Sequence, residues 1–283
     1  NAVVALPAHP RVVYKPVDNC SSKGVTVVEG EAEGDAEAPA AARRHALEHS
    51  RVGLGIVEQY IDGVQLHGDG WLQEGRLIHH YIGQQRFSDI DGTRVPIGTC
   101  WPARPTGDPQ EDAELVHTLV GQVETMARAT GYLDGPVNIE ARAGAEGVVL
   151  IELAPRNGGG FIPDLQQHLT GFDFVGNTLC AALGQPAPSP SPSAADRAVG
   201  TEFRIGSHVF IHSRTAGRLV RLSITDDLAP FLYQWHDMTP SDGWVRRYVR
   251  SDQRLGVLLL EFPDLETQRR VIDHPEQWLT LEI

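Results

Sequence analysis

The chain lacks the features that mark secreted, membrane or nucleic-acid-binding proteins. It has 3 cysteines in 283 residues, too few and too dispersed for a disulfide framework or a zinc site. No apolar run reaches the roughly eighteen residues that a membrane span needs, and no secretory signal is recognisable. Positive charge is scarce, since 24 Lys and Arg against 37 Asp and Glu give a net charge of −13. We therefore expect a cytoplasmic protein with no membrane and no nucleic-acid partner.

The most informative stretch is a pair of strands in the middle of the chain. Residues 137–142 alternate apolar and polar, which predicts a half-buried strand, and a Gly-rich connection leads to a second apolar run over residues 148–153. An antiparallel hairpin folded about residue 146 would place Glu140 opposite Glu152, with the side chains about 5 Å apart. Two carboxylates this close favour a hard cation such as Mg²⁺. The alternative is two glutamates on a solvated face.

A positive charge and three glycines follow this hairpin. Arg156 opens the run Asn157-Gly158-Gly159-Gly160. An arginine beside a metal–phosphate site suits a transferring phosphoryl group, because its planar fork matches phosphate oxygens. The glycines would let backbone amides approach a ligand closely. The alternative is an ordinary surface loop.

The beginning of the chain predicts contacts to phosphate and adenine. A strand over residues 11–16 carries Lys15, a Ser/Gly loop follows over residues 18–24, and a second strand begins at Val25. Amides and hydroxyls of such a flap can surround phosphates, although the P-loop pattern is absent. Residues 55–63 form another apolar strand that could offer its backbone to the edge of adenine, or could simply be buried.

In this order the motifs resemble the ATP-grasp superfamily of carboxylate–amine and carboxylate–thiol ligases, over roughly residues 8–184. Lys15-Pro16 with the loop 21–24 resembles its phosphate flap, and residues 58–61 its adenine hinge. Residues 135–140 and 151–160 resemble its metal strands and catalytic arginine. The stretch 155–173 is similar to short-form carbamoyl-phosphate-synthase-like members and L-amino-acid ligases.

The resemblance implies an α+β fold in which two α+β subdomains clasp ATP, followed by a small C-terminal α+β subdomain. Residues 1–61 would form the B subdomain, 62–184 the C subdomain, 185–198 a Pro/Ser-rich linker and 199–283 the C-terminal subdomain. It further implies an N-terminal domain that precedes the flap, which would be supplied outside this sequence or by a partner chain. A homodimer is also compatible with it.

The resemblance also implies a reaction and residue roles. A small-molecule carboxylate would be activated by ATP as an acyl phosphate and joined to an amine, such as an amino acid. Arg156 and Lys15 would be catalytic, and Glu140, Glu152 and Asn138 would bind Mg²⁺ or Mn²⁺. The residues expected to bind ATP are Lys15, Ser21, Ser22, Lys23, Gly24, Glu58, Gln59, Tyr60, Ile61, Gln65, Asn157, Gly158 and Gly159.

Two departures from the superfamily pattern leave alternatives open. Gln65 stands where a ribose-binding glutamate is common, and Ala154 stands where a metal-binding asparagine is common, opposite Asn138 in the predicted register. A non-catalytic nucleotide-binding regulatory or scaffold module would tolerate both changes. A carbamoyl-phosphate or carboxylase type of reaction would use the same ATP site.

Local patterns complete the expectations. Helical spacing predicts helices over residues 35–50, 108–130 and 172–183. His67-Gly68-Asp69-Gly70 is interpreted as a hairpin turn. After the linker, strands are expected near 203–211, 219–224 and 257–262. His208 on the first of these is not assigned any chemistry.

Overall fold

The structure is a computed structural model that describes residues 11–19, 23–29, 37–90, 93–185 and 204–283. Ser21 and Ser22, which the sequence analysis assigned to ATP binding, lie outside the described residues, as does most of the predicted linker. The chain divides into two compact units, Asn1–Asp62 and Gly63–Ile283. No helix among the described residues is long and apolar enough to cross a membrane.

The first unit contains a small antiparallel sheet and a helix. Its described strands are β1 (Arg11–Pro16), β2 (Thr26–Glu29) and β3 (Gly55–Gln59), in the order β2–β1–β3. Helix α1 (Glu37–Glu48) lies against β1 and β2 and buries Ala42 and Ala46, which are one turn apart. Small side chains at this spacing let the helix approach the sheet closely. The helix predicted over 35–50 is confirmed.

The second unit is built on one antiparallel sheet. Its strands in chain order are β4 (Val64–Gln73), β5 (Arg76–Ile90), β6 (Thr93–Trp101), β7 (Gly135–Gly144), β8 (Gly147–Ala154), β9 (Ile205–Ile211), β10 (Gly217–Arg218), β11 (Arg221–Ile224), β12 (Leu232–Asp237), β13 (Trp244–Val245), β14 (Gly256–Phe262) and β15 (Leu279–Glu282). Among the described residues, eight of them pair in the order β12–β14–β9–β6–β5–β4–β7–β8. β10 pairs with β13, and β11 pairs with β15.

Helices cover both faces of this sheet. They are α2 (Pro109–Thr130), α3 (Ile162–Thr170), α4 (Phe174–Ala182) and α5 (Leu265–Asp273). Helix α2 packs Leu119 and Val123 against Leu66 and Ile139 on one face, while α3 packs Leu165 against the opposite face. Strand residues alternate between faces, so one face of β4 and β7 is left for polar side chains.

The ends of α2 show why the sequence folds there as expected. The Asp108 side chain accepts hydrogen bonds from the backbone amides of Gln110 and Glu111, at 2.8 and 3.1 Å. Pro109 occupies the first turn, and Gly131 ends the helix in the left-handed conformation. These are the cap residues that helices favour, and the helix predicted over 108–130 is confirmed.

Two local expectations are corrected. Residues 67–70 do not form a hairpin turn, because they lie inside β4 and are paired there with β7 on one side and with β5 on the other. Their glycines resemble a turn signal, but glycine inside a strand also permits close backbone approach. Three of the strands after the linker do not form a separate sheet either, whereas β10 with β13 and β11 with β15 form two-stranded sheets of their own. β9 pairs with β6, so β9, β14 and β12 extend the sheet that holds β7 and β8. The subdomain boundaries themselves stay a prediction.

Candidate functional site

The two glutamates predicted to bind a cation lie side by side in the second unit. Glu140 on β7 is directly opposite Glu152 on β8, as predicted. Asn138 is opposite Ala154 in the next position on the same face. Glu152 is exposed and Glu140 is half-buried. The hairpin therefore presents two carboxylates with a carboxamide beside them at its solvent-accessible end.

Asn138 belongs to a buried polar network on this face. Its Nδ2 donates to Asp69 Oδ1 at 2.7 Å, lies 3.1 Å from His67 Nε2 and is 3.4 Å from the Gly68 carbonyl oxygen. The Gly158 backbone amide donates to Asp69 Oδ2 at 2.8 Å. Asp69, which the sequence analysis left in a turn, thus contacts both Asn138 on β7 and the glycine loop.

Burial dominates the electrostatics of this network. Burial raises the pKa of the Asp69 carboxyl above its ordinary value, and the hydrogen bonds from Asn138 and Gly158 oppose the rise. Burial also lowers the pKa of the His67 imidazole, and the positive charge of Arg156 lowers it further. A neutral His67 beside the Asn138 amide is therefore favoured.

Gln65 contacts Glu140, one of the two glutamates predicted to bind a cation. Its Nε2 donates to Glu140 Oε2 at 3.1 Å, and its Oε1 accepts from Arg142 Nη2 at 3.5 Å. The side chain is thereby oriented beside Glu140. Its expected contact with ribose stays a prediction.

Arg156 begins the loop that connects β8 to α3. Its backbone amide donates to the Ala154 carbonyl at 2.8 Å, and its Nη1 donates to the Asn157 carbonyl at 2.9 Å. The Asn157 side chain bonds Thr178 on α4. Arg156 and Gly159 are exposed, whereas Gly158 is half-buried over Asp69. The loop is thus attached to the fold through Asn157 and Gly158, while the arginine side chain reaches solvent.

The first unit holds the other predicted residues. Lys15 on β1 forms an ion pair with Glu58 on β3. Lys23 and Gly24 precede β2, while Tyr60 and Ile61 follow β3. The Tyr60 amide donates to the Arg11 carbonyl at 3.0 Å. Their roles with phosphate and adenine stay predictions.

The sequence analysis missed Asp69 and the buried polar centre of the sheet. Thr99 and His208 are paired neighbours on β6 and β9, and both are buried. Among the described residues, no hydrogen-bond partner is present for Thr99 Oγ1 or for either His208 ring nitrogen. A signal was available for Asp69, because residues 65, 67 and 69 are polar at a period of two, which indicates one face of a strand.

Known proteins resemble this chain in sequence. A protein-family model described as an ATP-grasp domain matches residues 8–164, more than half of the chain. Carnosine synthase 1 from Homo sapiens is 29% identical over 206 residues, which cover 66% of this chain and 24% of that protein. The chain therefore spans about a quarter of the length of this relative.

Solved structures show the same fold at low sequence identity. The L-amino acid ligase from Bacillus licheniformis matches with a TM-score of 0.73 at 19% identity, covering 99% of this chain and 64% of that one. Phosphoribosylglycinamide synthetase from Anaerococcus prevotii matches with a TM-score of 0.66 at 14% identity, covering 96% and 64%. Likeness at these identities concerns the fold alone.

Proposed function

Because the chain belongs to the ATP-grasp family, we propose that it is an ATP-dependent ligase that activates a small carboxylate and joins it to an amine. The family membership and the α+β fold that the motifs predicted are both confirmed. The observation that carries the proposed activity is the pairing of Glu140 with Glu152. Strand β8 ends two residues after Glu152, and the loop with Arg156 follows. Two paired carboxylates followed after four residues by an arginine support the proposed cation and phosphoryl roles.

The donor set fits Mg²⁺. Glu140 and Glu152 would hold the cation, and Asn138 would contribute its Oδ1, since its amide nitrogen is committed to Asp69. Among the described residues, no group of three His, Cys, Asp or Glu side chains could hold a metal. Phosphate oxygens and water would therefore complete the shell, as is common for Mg²⁺. When bound, the cation neutralises phosphate charge.

The proposed reaction has two steps. A carboxylate oxygen of the first substrate attacks the γ-phosphorus of ATP, the bond from this phosphorus to the β–γ bridging oxygen breaks, and ADP leaves. The amine then attacks the acyl carbon, phosphate leaves, and the nitrogen loses a proton to give the amide. Arg156 would donate to the oxygens of the transferring phosphoryl group, where such electrostatic stabilisation has its largest effect. Amides of residues 158–160 would orient the acyl phosphate.

The first unit would supply the nucleotide contacts. Lys15 would leave its ion pair with Glu58 and bind a phosphate of ATP instead. Lys23 and Gly24 would also bind the phosphates. The backbone of residues 58–61 would bind adenine. The half-exposed position of the Lys15–Glu58 pair supports this role, because exposed ion pairs are worth only about 0–1 kcal/mol and are given up easily.

We extend the proposal to the substrates and the compartment. The L-amino acid ligase from Bacillus licheniformis is named for amino-acid substrates, and an amino acid as the amine fits the same chemistry. Cys100 and Cys180 are free thiols, as expected in a reducing cytoplasm.

The test is release of ADP from Mg²⁺-ATP by the full chain with pooled carboxylates and amino acids. We expect ADP formation to require a carboxylate, and hydroxylamine to trap the acyl phosphate as a hydroxamate. Glu152→Gln removes one cation ligand and should abolish both signals. Glu146→Gln, at the exposed turn of the same hairpin, is the matched control and should keep them.

The outcomes separate the alternatives. Tight binding of Mg²⁺-ATP without turnover on any substrate would favour a regulatory module. ADP formation that requires bicarbonate instead of an organic carboxylate would favour a carboxylase or carbamoyl-phosphate reaction. Either result would overturn the proposed ligase.

A further inference from the structure

Asp69 is a buried carboxylate at the centre of the polar sheet face, and the proposed chemistry gives it no direct part. Its side chain is 0% exposed. The two carboxylate oxygens serve different partners, Oδ1 accepting from Asn138 on β7 and Oδ2 from the Gly158 backbone. A single group thus joins a predicted cation ligand to the loop that carries Arg156.

The contact between Asp69 and Asn138 decides which side-chain atom of Asn138 is available to a cation. Three acceptors surround its amide nitrogen, namely Asp69 Oδ1, His67 Nε2 and the Gly68 carbonyl. Turning the amide over would set its oxygen against these acceptors and remove the hydrogen bond to Asp69. No donor to Asn138 Oδ1 is present among the described residues. The oxygen is therefore the atom left for a cation.

The second contact sets the height of the loop above the sheet. A Cβ at position 158 would lie 2.7 Å from Asp69 Oδ1 and 3.1 Å from Asn138 Nδ2. Only glycine therefore allows the backbone to rest directly on the Asp69–Asn138 pair. Arg156 lies two residues before this point, and its own amide is bonded to Ala154. The loop is held at both places.

We propose that Asp69 is a positioning residue that orients the Asn138 oxygen and seats the Gly158 amide, so that cation site and arginine loop keep one relative geometry. The inference rests on the proposed ligase function. Asp69 would not touch ATP or either substrate. Partners that orient metal ligands in this way typically contribute 10- to 100-fold in affinity or activity, by order of magnitude.

The test compares Asp69→Asn with Asp112→Asn in the full chain. Asp112 is the matched control, because it is 1% exposed in the same unit and accepts from the Thr106 amide and hydroxyl, both at 2.9 Å. For Asp69→Asn we expect kcat to fall about 10- to 100-fold with little change in KM for ATP at saturating Mg²⁺. Mn²⁺ titrated in the presence of ADP, followed by electron paramagnetic resonance, should bind about tenfold more weakly.

The exchange variant Asp69→Asn with Asn138→Asp is the rescue. It restores a donor and an acceptor between positions 69 and 138 while position 69 keeps an oxygen for Gly158, so Mn²⁺ affinity should recover most of its loss. The proposal is overturned if Asp69→Asn behaves like Asp112→Asn, changing only the free energy of unfolding. Absence of carboxylate-dependent ADP in the unmodified chain contradicts the ligase function instead, and the Mn²⁺ titration then still decides the role of Asp69.

Discussion

The two units differ in how deeply they bury polar side chains. In the first unit Lys15 and Glu58 lie on a three-stranded sheet with side chains 24% and 37% exposed. In the second unit Asp69, Asn138 and His208 are buried in the middle of a wide sheet. The first unit buries mainly small side chains such as Ala42 and Ala46, whereas the second contains several apolar clusters.

The difference is consistent with the proposed division, in which the first unit binds nucleotide and the second carries the chemistry. A half-exposed lysine can exchange its carboxylate partner for a phosphate at low cost, which suits a residue that must bind and release nucleotide. Groups that act on a transferring phosphoryl need a fixed geometry, and the buried hydrogen bonds from Asn138 and Gly158 to Asp69 would hold the surrounding residues in place. Substitutions in the second unit should therefore change kcat, and those in the first unit should change KM for ATP.

The largest effect is expected at Arg156. Arg156→Ala should lower kcat about a thousandfold or more, because an arginine that stabilises the transferring phosphoryl group contributes on that scale. The side chain is exposed, so the free energy of unfolding should stay nearly the same. Steady-state kinetics with chemical denaturation check both. Arg76, which is exposed on the same unit, provides the control, and Arg76→Ala should retain full activity. An active Arg156→Ala variant would contradict the assignment of the chemistry to the second unit.

The glycine loop offers a sharper contrast. Gly158→Ala should lower kcat about a hundredfold, because its methyl group would meet the Asp69 carboxylate and displace the loop. Gly159→Ala should be nearly neutral, since a Cβ there meets no atom within 4 Å. Kinetics on the two neighbouring variants give the result directly. Equal losses in both would show that the seating on Asp69 is unimportant.

A smaller effect is expected in the first unit. Lys15→Met should raise KM for ATP about tenfold, with kcat changed much less, because a point charge on bound phosphate is lost. The free energy of unfolding should change by less than about 1 kcal/mol, as for other exposed ion pairs. Arg44→Met on α1, which is exposed, is the control. A change in kcat that exceeds the change in KM would contradict the division between the units.

The smallest effect is expected on the free energy of unfolding at acid pH, which should depend on pH differently in the two units. Burial lowers the pKa of His208 from 6.5 to about 3, so the unfolded chain takes up a proton that the folded chain refuses. Stability is therefore fully present above pH 6.5 and falls as pH decreases toward 3. In the first unit, the hydrogen bond from Ser50 lowers the pKa of Asp18 below 3.8, so its contribution is lost only as pH falls below that value.

The measurement is urea unfolding at a series of pH values. His208→Gln should flatten the decrease of the unfolding free energy between pH 6.5 and pH 4, whereas Asp18→Asn should leave this window unchanged. A steep decrease that persists in His208→Gln would assign acid sensitivity to other groups, such as the buried His79, whose pKa is also lowered to about 3.

The predicted pairing of Glu140 with Glu152 is confirmed, but the turn beside it differs from the expectation. The observed hairpin pairs Gly144 with Gly147, which by itself would shift the register by one residue. A bulge between Glu140 and Ala141 inserts one residue and restores the predicted pairing. A bulge depends on packing of the strand against its neighbours, so alternation along the sequence could not reveal it.

The position of Asp69 is a second feature that the sequence could not predict. Its glycine neighbours resemble a turn in sequence, and only the pairing of β4 with both β5 and β7 makes it a central strand residue. Its partners Asn138 and Gly158 are 69 and 89 residues away along the chain. No local pattern carries information about such contacts.

The amino-acid sequence by itself determined the ATP-grasp membership, the α2 helix with its caps, and the carboxylate pair, because these depend on short motifs and on local periodicity. The tertiary structure alone decided that β9, β12 and β14 extend the sheet that contains β7 and β8, and that a buried carboxylate joins Asn138 to the glycine loop. The physical reason is that sheet order and buried hydrogen bonds join residues that are distant in the chain. The energy of these contacts depends on burial, which the spacing of residues in the sequence does not reveal.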